Sequence, residues 1–304
     1  MRCVRGPLAT ALIALAALAG CSMTEKEKPE SESSLKLAHA AGRTRVPARA
    51  ERVVALTPDA LDTALALGVK PVGGATAPDG RFPGYLGRRT AGIERTGTYP
   101  KPFLNAVEYV GPDLILGEKD LQGRLYRRLE AIASTVMAAD HGHSWEVNTR
   151  LFGEAMGRTD QAERLLTRYD RLGERVRGRL DRLGDLEVSV VRVLPTGVRA
   201  AGARSFAGTV IGDAGLGRPR AQGAERDAIR PRAPGVLDGD VILLSVAPGA
   251  ARAAARLQAG AGWRRLRAVR AGRVHRVADD PWRTGGGVLG AGRALLDLER
   301  SLAG

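Results

Sequence analysis

The stretch "TDQAERLLTRYDRLGERVRGRLDRL" (159–183) separates two parts of the chain that alternate strand-like and helix-like segments. It contains no strand-like run, and Asp160 and Glu163 supply acids for a first helical turn after Thr159, which is expected to be the N-cap. Its large apolar residues recur at helical spacing: Leu165, Leu166, Tyr169, Leu172, Val176 and Leu180. A helix over 160–183 would be about 36 Å long, so residues 145–183 are predicted to form a rigid helical connection.

Before this connection, residues 52–144 show four short apolar runs, each separated from the next by a helix-like segment. The runs are "RVVALTP" (52–58), "KPVGGAT" (70–76), "VGPDLILG" (110–117) and "STVMAAD" (134–140). Strands that alternate with helices predict a parallel sheet covered on both faces. The same alternation returns over 184–304 in "VSVVRVL" (188–194), "VILLSVA" (241–247) and "VHRVAD" (274–279). The predicted fold class is α/β, with two parallel-sheet lobes joined by a single long backbone helix.

The N-terminal segment predicts export. Basic residues at Arg2 and Arg5 precede the apolar run "LATALIALAALAG" (8–20), which would span about 20 Å as a helix and is too short to cross a membrane. Residues 1–20 therefore have the pattern of a signal peptide. The residues "LAGC" (18–21) resemble the lipobox of bacterial lipoproteins, which implies that Cys21 is the lipidated mature N-terminus. A soluble secreted protein cut near Gly20 is the alternative.

The mature chain would contain no cysteine except Cys21, because Cys3 lies in the signal, so no disulfide framework is expected. Residues 21–51 are polar and charged and have few large apolar side chains. This composition predicts a disordered tether between the membrane anchor and the folded body.

Basic residues dominate the charge of the chain. The formal net charge is +14, with six lysines and 41 arginines. Nucleic acid is one partner that fits such a surface, but an exported lipoprotein seldom meets it, and none is expected. The arginine content also fits a compositional bias that accompanies abundant alanine and glycine. Anionic lipid, cell-wall polymer or an anionic ligand remain alternatives.

The glycines of "DDPWRTGGGVLG" (279–290) satisfy the G-x-G-x-x-G spacing of dinucleotide-binding turns. That motif requires a strand directly before it, and another strand with an acidic residue about 20 residues later. Only fourteen residues follow Gly290, enough for one closing helix. The stretch is instead expected to be a ligand-facing loop, whose following helix presents free backbone N–H groups.

Five longer segments together resemble a known family. They are "RVVALTPDALDTALALGVKPVGGA", "VGPDLILGEKD", "LFGEAMGRTDQAERLLTRYDRL", "SVVRVLPTGVRAAGARSFAGTVIGDAGLGRP" and "WRRLRAVRAGRVHRVADDPWRTGGGVLGAGRALLDLERSL". In this order they resemble the iron-siderophore solute-binding proteins of ABC importers, the ferrichrome-, enterobactin- and cobalamin-binding class. The resemblance implies the helical-backbone periplasmic binding protein fold, a shallow cleft between two lobes, and a ferric siderophore as ligand with no cofactor. It also implies ABC permease subunits as partners. With the lipobox-like residues, the expected location is lipid-anchored at the extracytoplasmic face of the membrane, and a monomer is expected. A bare metal ion, cobalamin or haem is the alternative ligand.

Ligands of parallel α/β lobes sit beyond the carboxyl ends of the strands. The candidate contacts at these ends are Tyr99, Trp145, Arg192, Arg199, Trp282, Arg283 and Gly286. Arg192 lies inside a strand expected to be buried, so it needs an anion, either a structural carboxylate or an anionic chelate. Core packing is the alternative role for both tryptophans and for Tyr99.

The resemblance also implies one glutamate on each lobe for docking to the permease, but the corresponding positions hold Asn105 and Thr209. Glu108 and Asp213, one turn later, are possible substitutes. A metal-binding lipoprotein is a competing class because His141 and His143 lie together, although only His39 and His275 remain to complete a site. An enzyme is the second competing class, but the sequence has no G-x-S-x-G, H-E-x-x-H or P-loop motif. Ser205 is expected to be a helix cap.

Overall fold

The computed structural model describes residues 34–140, 144–181, 185–223, 228–283 and 286–303. The predicted signal peptide, Cys21 and residues 22–33 lie outside the described residues, as do His141, His143, Thr284 and Gly285. Within the described part of the chain, no helix is both long and apolar enough to cross a membrane.

The first lobe is built on a six-stranded sheet. Its strands are β3 (Val53–Ala55), β4 (Gly73–Thr76), β5 (Glu94–Thr98), β6 (Lys101–Pro102), β7 (Leu114–Glu118) and β8 (Ser134–Ala138), in the order β6-β5-β4-β3-β7-β8. All neighbours are parallel except β5 and β6. The helices are α1 (Pro58–Ala66), α2 (Leu104–Tyr109), α3 (Lys119–Gln122) and α4 (Tyr126–Glu130). As expected for a sheet covered on both faces, β3 and β7 are buried throughout.

A β-hairpin precedes this sheet, so the prediction of a disordered tether over 21–51 is wrong from Ser34 onward. Strands β1 (Ser34–His39) and β2 (Gly42–Pro47) pair antiparallel. Leu37 and Val46 are buried in the core of the first lobe. The average composition of the segment did not predict the hairpin, because a hairpin needs only a few inward-facing apolar side chains when a neighbouring core covers them.

The connection between the lobes is two helices, not one over 145–183. Helix α5 (Trp145–Ala155) packs Phe152 into the first lobe, and α6 (Thr159–Leu180) is the long backbone helix. Between them Gly157 has a φ of +67° and lies against the Ala48 backbone, where a side chain would not fit. Thr159 is the first helical residue and not the N-cap, which is Arg158. The 22 residues of α6 span about 33 Å.

The second lobe contains a five-stranded mixed sheet. Its strands are β9 (Val188–Leu194), β10 (Gly197–Ala201), β11 (Ala228–Ile229), β12 (Val241–Val246) and β13 (Val274–Arg276), in the order β11-β10-β9-β12-β13. β9, β12 and β13 are parallel, whereas β10 is antiparallel to both its neighbours. The all-parallel prediction is therefore wrong at this edge, because the turn after Leu194 is too short for the crossover that parallel strands need.

Helices of the second lobe cover both faces of this sheet. They are α7 (Phe206–Asp213), α8 (Ala251–Ala259), α9 (Ala261–Arg264), α10 (Arg267–Arg270), α11 (Asp279–Trp282) and α12 (Val288–Ala303). The closing helix α12 lies against α6 and reaches α1 of the first lobe. Its residues Ala291, Leu295 and Leu298 are fully buried in one core with Val176 and Leu180 of α6. The end of the chain therefore holds the second lobe to the backbone helix.

Candidate functional site

Loops from both sheets meet at the carboxyl ends of the strands, a region we call the lobe junction. Arg283, directly after α11, donates from Nη1 to the hydroxyl of Tyr99, in the turn between β5 and β6, at 3.2 Å. Asp280 of α11 accepts the backbone N–H of Gly84 from the first lobe at 2.8 Å. Two predicted contacts, Tyr99 and Arg283, are thus brought together across the two lobes.

Arg192 finds its anion within the protein. Its Nε donates to Oδ1 of Asp279 at 2.6 Å and its Nη2 to Oδ2 at 2.9 Å, while Ser245 donates to the same carboxylate at 3.2 Å. Arg192 was expected to pair either with a structural carboxylate or with an anionic chelate, and in this conformation it pairs with the structural carboxylate of Asp279. Asp279 also lies 3.3 Å from Nε of Arg283. Arg192 therefore helps to position the acidic residue that orients Arg283.

Arg283 stays charged despite its partial burial. Burial alone would lower the pKa of its guanidinium, but Tyr99, Asp280 and Asp279 raise the pKa above its ordinary value. The side chain retains 22% of its exposure. It is therefore a permanent, partly accessible cation at the junction, where Asp279 and Asp280 pair with it.

The two predicted tryptophan contacts are core residues in this conformation. Trp145 is fully buried, with its ring edge-on to Tyr169 at 4.8 Å, and Trp282 is 6% exposed in the same core. The assignment of Trp145 to the ligand site is wrong, because no part of its ring reaches the surface. Trp282 borders the junction next to Arg283, and its contact with a ligand stays a prediction. Both indole N–H groups are buried without a hydrogen-bond partner in the described structure.

Gly286 contacts protein and not an open cleft. A Cβ on this residue would overlap the hydroxyl of Tyr85 and lie 2.9 Å from Oδ2 of Asp62. Gly287 is similarly close to Thr63 and Asp62. The prediction that Gly286 lets a ligand approach the backbone is wrong, since the first lobe occupies that space. The glycine run exists because two elements of the protein meet there.

Asp62, which is not among the predicted site residues, holds this contact together. The Asp62 carboxylate of α1 accepts the backbone N–H groups of Leu289 and Gly290, both at 2.9 Å, and the Tyr85 hydroxyl at 2.8 Å. It is an N-terminal cap for α12 supplied by the other lobe. The N–H groups of Leu289 and Gly290 at the start of this helix are therefore satisfied within the protein, and the prediction that they face a ligand is wrong.

The pKa of Asp62 is raised to about 6. Burial is the main cause and the nearby Asp59 adds to it, while the three hydrogen bonds to the carboxylate lower the pKa. Asp59 is itself fully buried and accepts from Thr57 at 2.6 Å and from Asn148 at 2.8 Å. The available signal was the i, i+3 pair of acids in "PDALDTALA" (58–66), where every other residue except Thr63 is apolar. Two carboxylates on a buried face require partners from elsewhere.

A cavity of about 760 Å³ opens on one side of the junction, lined by both lobes and by Leu172 of α6. Its polar groups include Tyr85, Arg89 and Asp280, and α12 forms its apolar wall. Its size falls within the range of small-molecule sites. Arg199 does not line this cavity. It lies on β10, directly opposite Arg192 in the strand register, and donates to the Val198 carbonyl.

The residues considered for permease docking differ in their surroundings. Asp213 accepts the hydroxyl of Tyr169 at 2.6 Å, and burial raises its pKa, so it is tied to α6. Glu108 is exposed on α2, and Thr209 donates back to the Ser205 carbonyl. Ser205 caps α7 by accepting the N–H of Gly208 at 3.0 Å, as the cap interpretation expected.

A metal site has no support among the residues that the structure describes, where no group of three His, Cys, Asp or Glu side chains could hold an ion. His39 packs on Tyr126 and bonds to Thr44 in the hairpin, and His275 lies in β13. His141 and His143 are outside the described residues.

Two lobes, each built on a mixed sheet and connected through the long helix α6, have the architecture of a two-lobed binding protein, with the candidate site at the lobe junction. The sequence profile described as "Periplasmic binding protein" matches residues 53–281, and the chain belongs to this family. It is a family of substrate-binding transport proteins and not of enzymes. The fold class and the family resemblance predicted from the sequence are confirmed.

Relatives match nearly the whole chain. A probable siderophore-binding lipoprotein of Bacillus subtilis is 30% identical, over 95% of this chain and 94% of its own length. An achromobactin-binding periplasmic protein of Dickeya dadantii is 29% identical, over 82% and 86%. Among solved structures, SirA of Staphylococcus aureus complexed with staphyloferrin B is similar with a TM-score of 0.79 and 26% identity, covering 88% of this chain and 98% of SirA.

Proposed function

We propose that this chain captures a ferric siderophore at the lobe junction and delivers it to the permease of an ABC importer. The observation that carries the proposal is that relatives named for siderophore binding match it over most of their length. The junction supports it, because the cationic Arg283 and the hydroxyl of Tyr99 face each other from different lobes. A ligand inserted there would exchange that single hydrogen bond for contacts to both lobes.

We assign roles within this proposal as follows. Arg283 and Tyr99 contact the chelate, and Trp282 packs beside them. Arg192 acts through Asp279, whose carboxylate it shares with Arg283. Arg199 remains a proposed contact at the edge of the second lobe. The chain works as a monomer, without a cofactor and without nucleic acid.

A thermal-shift panel tests the proposal. It contains ferric hydroxamate, ferric catecholate and ferric carboxylate chelates, together with haem, cobalamin and free Fe³⁺ and Zn²⁺. A ligand at 100 times its dissociation constant adds about 2.7 kcal/mol to stability, which is a rise in Tm of several degrees. We expect at least one ferric chelate to give this rise. Stabilisation by haem, cobalamin or a bare ion, with no response to any ferric chelate, would contradict the proposal.

Arg283→Gln is predicted to weaken binding of the chelate identified in that panel. Loss of a charged hydrogen bond costs about 1.5 to 3 kcal/mol, a fall in affinity of roughly tenfold to a hundredfold. Titration by tryptophan fluorescence measures it. Arg276→Gln, an exposed position on β13, removes the same charge away from the junction and is the control. Equal affinities of the Arg283 variant and wild type would remove Arg283 from the site.

We also propose that Cys21 carries a lipid that anchors the protein to the extracytoplasmic face of the membrane. The lipobox-like residues before it support this, as does the lipoprotein name of the B. subtilis relative. Cys21→Ala is predicted to move the protein from the membrane fraction to the soluble fraction, because one acylated cysteine would be the attachment. Fractionation and mass spectrometry of the mature N-terminus check this result. Retention of the variant in membranes would contradict it.

A further inference from the structure

A second cavity, of about 460 Å³, lies within the second lobe beside the edge strands β10 and β11. Its lining comes from these strands, the loop after β11, α8 and α9. None of its lining residues belongs to the first lobe, to α6, or to the lining of the cavity at the junction. We call it the flank pocket; it shares Arg199 with the contacts proposed for the siderophore and contains no other residue of that site.

The flank pocket combines an apolar floor with a cationic rim. Leu237 and Trp263 form part of the floor and are 2% and 5% exposed. Four arginines contribute to the lining: Arg199, Arg230, Arg232 and Arg256. Among the described residues, which do not include 224–227, no acidic side chain lines the pocket and none of the four arginines forms an ion pair. Arg267 of the same lobe, by contrast, lies within 4 Å of three carboxylates.

The rim is held in place by its backbone. In the loop "RPRAP" (230–234), Pro231 follows Arg230 directly and Pro234 lies two residues after Arg232. Each proline fixes its own φ angle. Pro234 begins the short 3-10 helix Pro234–Leu237 and packs on Gly262 of α9, where an added Cβ would lie 2.9 Å from Cβ of Pro234. Arg230 and Arg232 are therefore carried on a stiff loop, which lowers the entropy cost of binding.

We propose that the flank pocket binds a small organic polycarboxylate with a flat apolar or aromatic part. Guanidinium groups donate paired hydrogen bonds to carboxylates, and several unpaired arginines at one concave site repel each other until an anion neutralises them. The tryptophan and leucine floor favours the apolar part of such a ligand. The volume lies within the range of small-molecule sites. The proposal does not depend on capture of a siderophore at the junction.

Calorimetric titration of the full chain with benzene-1,3,5-tricarboxylate, at about 0.15 M salt, tests the proposal. We expect saturable binding to one site, stronger than binding of citrate, which lacks the flat ring, and much stronger than binding of sulfate. The double variant Arg230→Gln with Arg232→Gln should lower the affinity by about tenfold or more, because two charged contacts are lost. Its Tm should match wild type, since both side chains are exposed.

The matched control is Arg270→Gln with Arg276→Gln, which removes two charges from exposed positions that do not line the pocket. It should leave the affinity unchanged. An equal loss in the control would show binding to the general positive surface and overturn the proposal, as would absence of saturable binding in wild type. Displacement of the probe by the saturating ferric chelate, or its loss in Arg283→Gln, would assign the pocket to the junction and overturn it as a separate site.

Discussion

Gly286→Ala should destabilise the protein by about 3 kcal/mol or more, because its new methyl group has no space at the lobe junction. The methyl would overlap the Tyr85 hydroxyl and lie 2.8 Å from Cζ of that ring and 2.9 Å from Oδ2 of Asp62. Neither neighbour can move freely, because Tyr85 donates to Asp62 and Asp62 caps α12. Chemical denaturation of wild type and variant measures the loss.

Gly178→Ala is the matched control for this substitution. Gly178 lies in α6, and a Cβ there meets nothing within 4 Å. Alanine is the better helix former, so this change should raise stability by about 0.5 to 1 kcal/mol. Tyr85→Phe in the Gly286→Ala background should recover part of the loss, because it removes the overlapping oxygen. A Gly286→Ala variant as stable as wild type would show that the junction is not packed as described.

The elements that could be predicted from the sequence are those with local signals. The apolar runs at β3, β7, β9 and β12, and the helical spacing of α6, identified the strands, the backbone helix and the α/β class. The expected burial of Arg192 in β9 also indicated that it needs an anion, and the side chain proves to be only partly buried, at 27% exposure. Each of these inferences uses the periodicity of a short segment or the cost of burying a charge.

The contacts that build the site could not be predicted in the same way. The partner of Arg192 is 87 residues away at Asp279, and Asp62 caps a helix that begins more than 220 residues later. Nothing in the local sequence specifies such pairs, because they are set by how the lobes pack. The hairpin at 34–47 was missed for a related reason: Leu37 and Val46 are buried by a core formed from other segments. The predicted site therefore differs from the structure more than the predicted fold does.

Asp62→Ala should lower the free energy of unfolding by about 4 kcal/mol at pH 4.5, where the carboxyl is largely protonated in the folded state. It leaves the N–H groups of Leu289 and Gly290 and the Tyr85 hydroxyl without their acceptor, and each buried unsatisfied group costs about 1 to 3 kcal/mol. Asp79→Ala, an exposed loop position that bonds only to the nearby Arg81 N–H, is the control and should change little.

The pH dependence gives this prediction its sharper form. Burial raises the folded-state pKa of Asp62 to about 6 from 3.8, so between these values the folded protein binds a proton that the unfolded chain has lost. The stability contributed by Asp62 is therefore complete below about pH 4, falls as the pH rises to about 6, and is constant above. A shift of about two units corresponds to roughly 3 kcal/mol, so the gap between wild type and Asp62→Ala should narrow by an amount of that order. Subtracting the two unfolding curves at each pH cancels groups that titrate in both proteins, such as His39. A gap that stays constant from pH 4.5 to 7.5 would contradict this prediction and show that Asp62 is ionised throughout this range, because the N–H groups at the start of α12 stabilise the carboxylate more than burial opposes it.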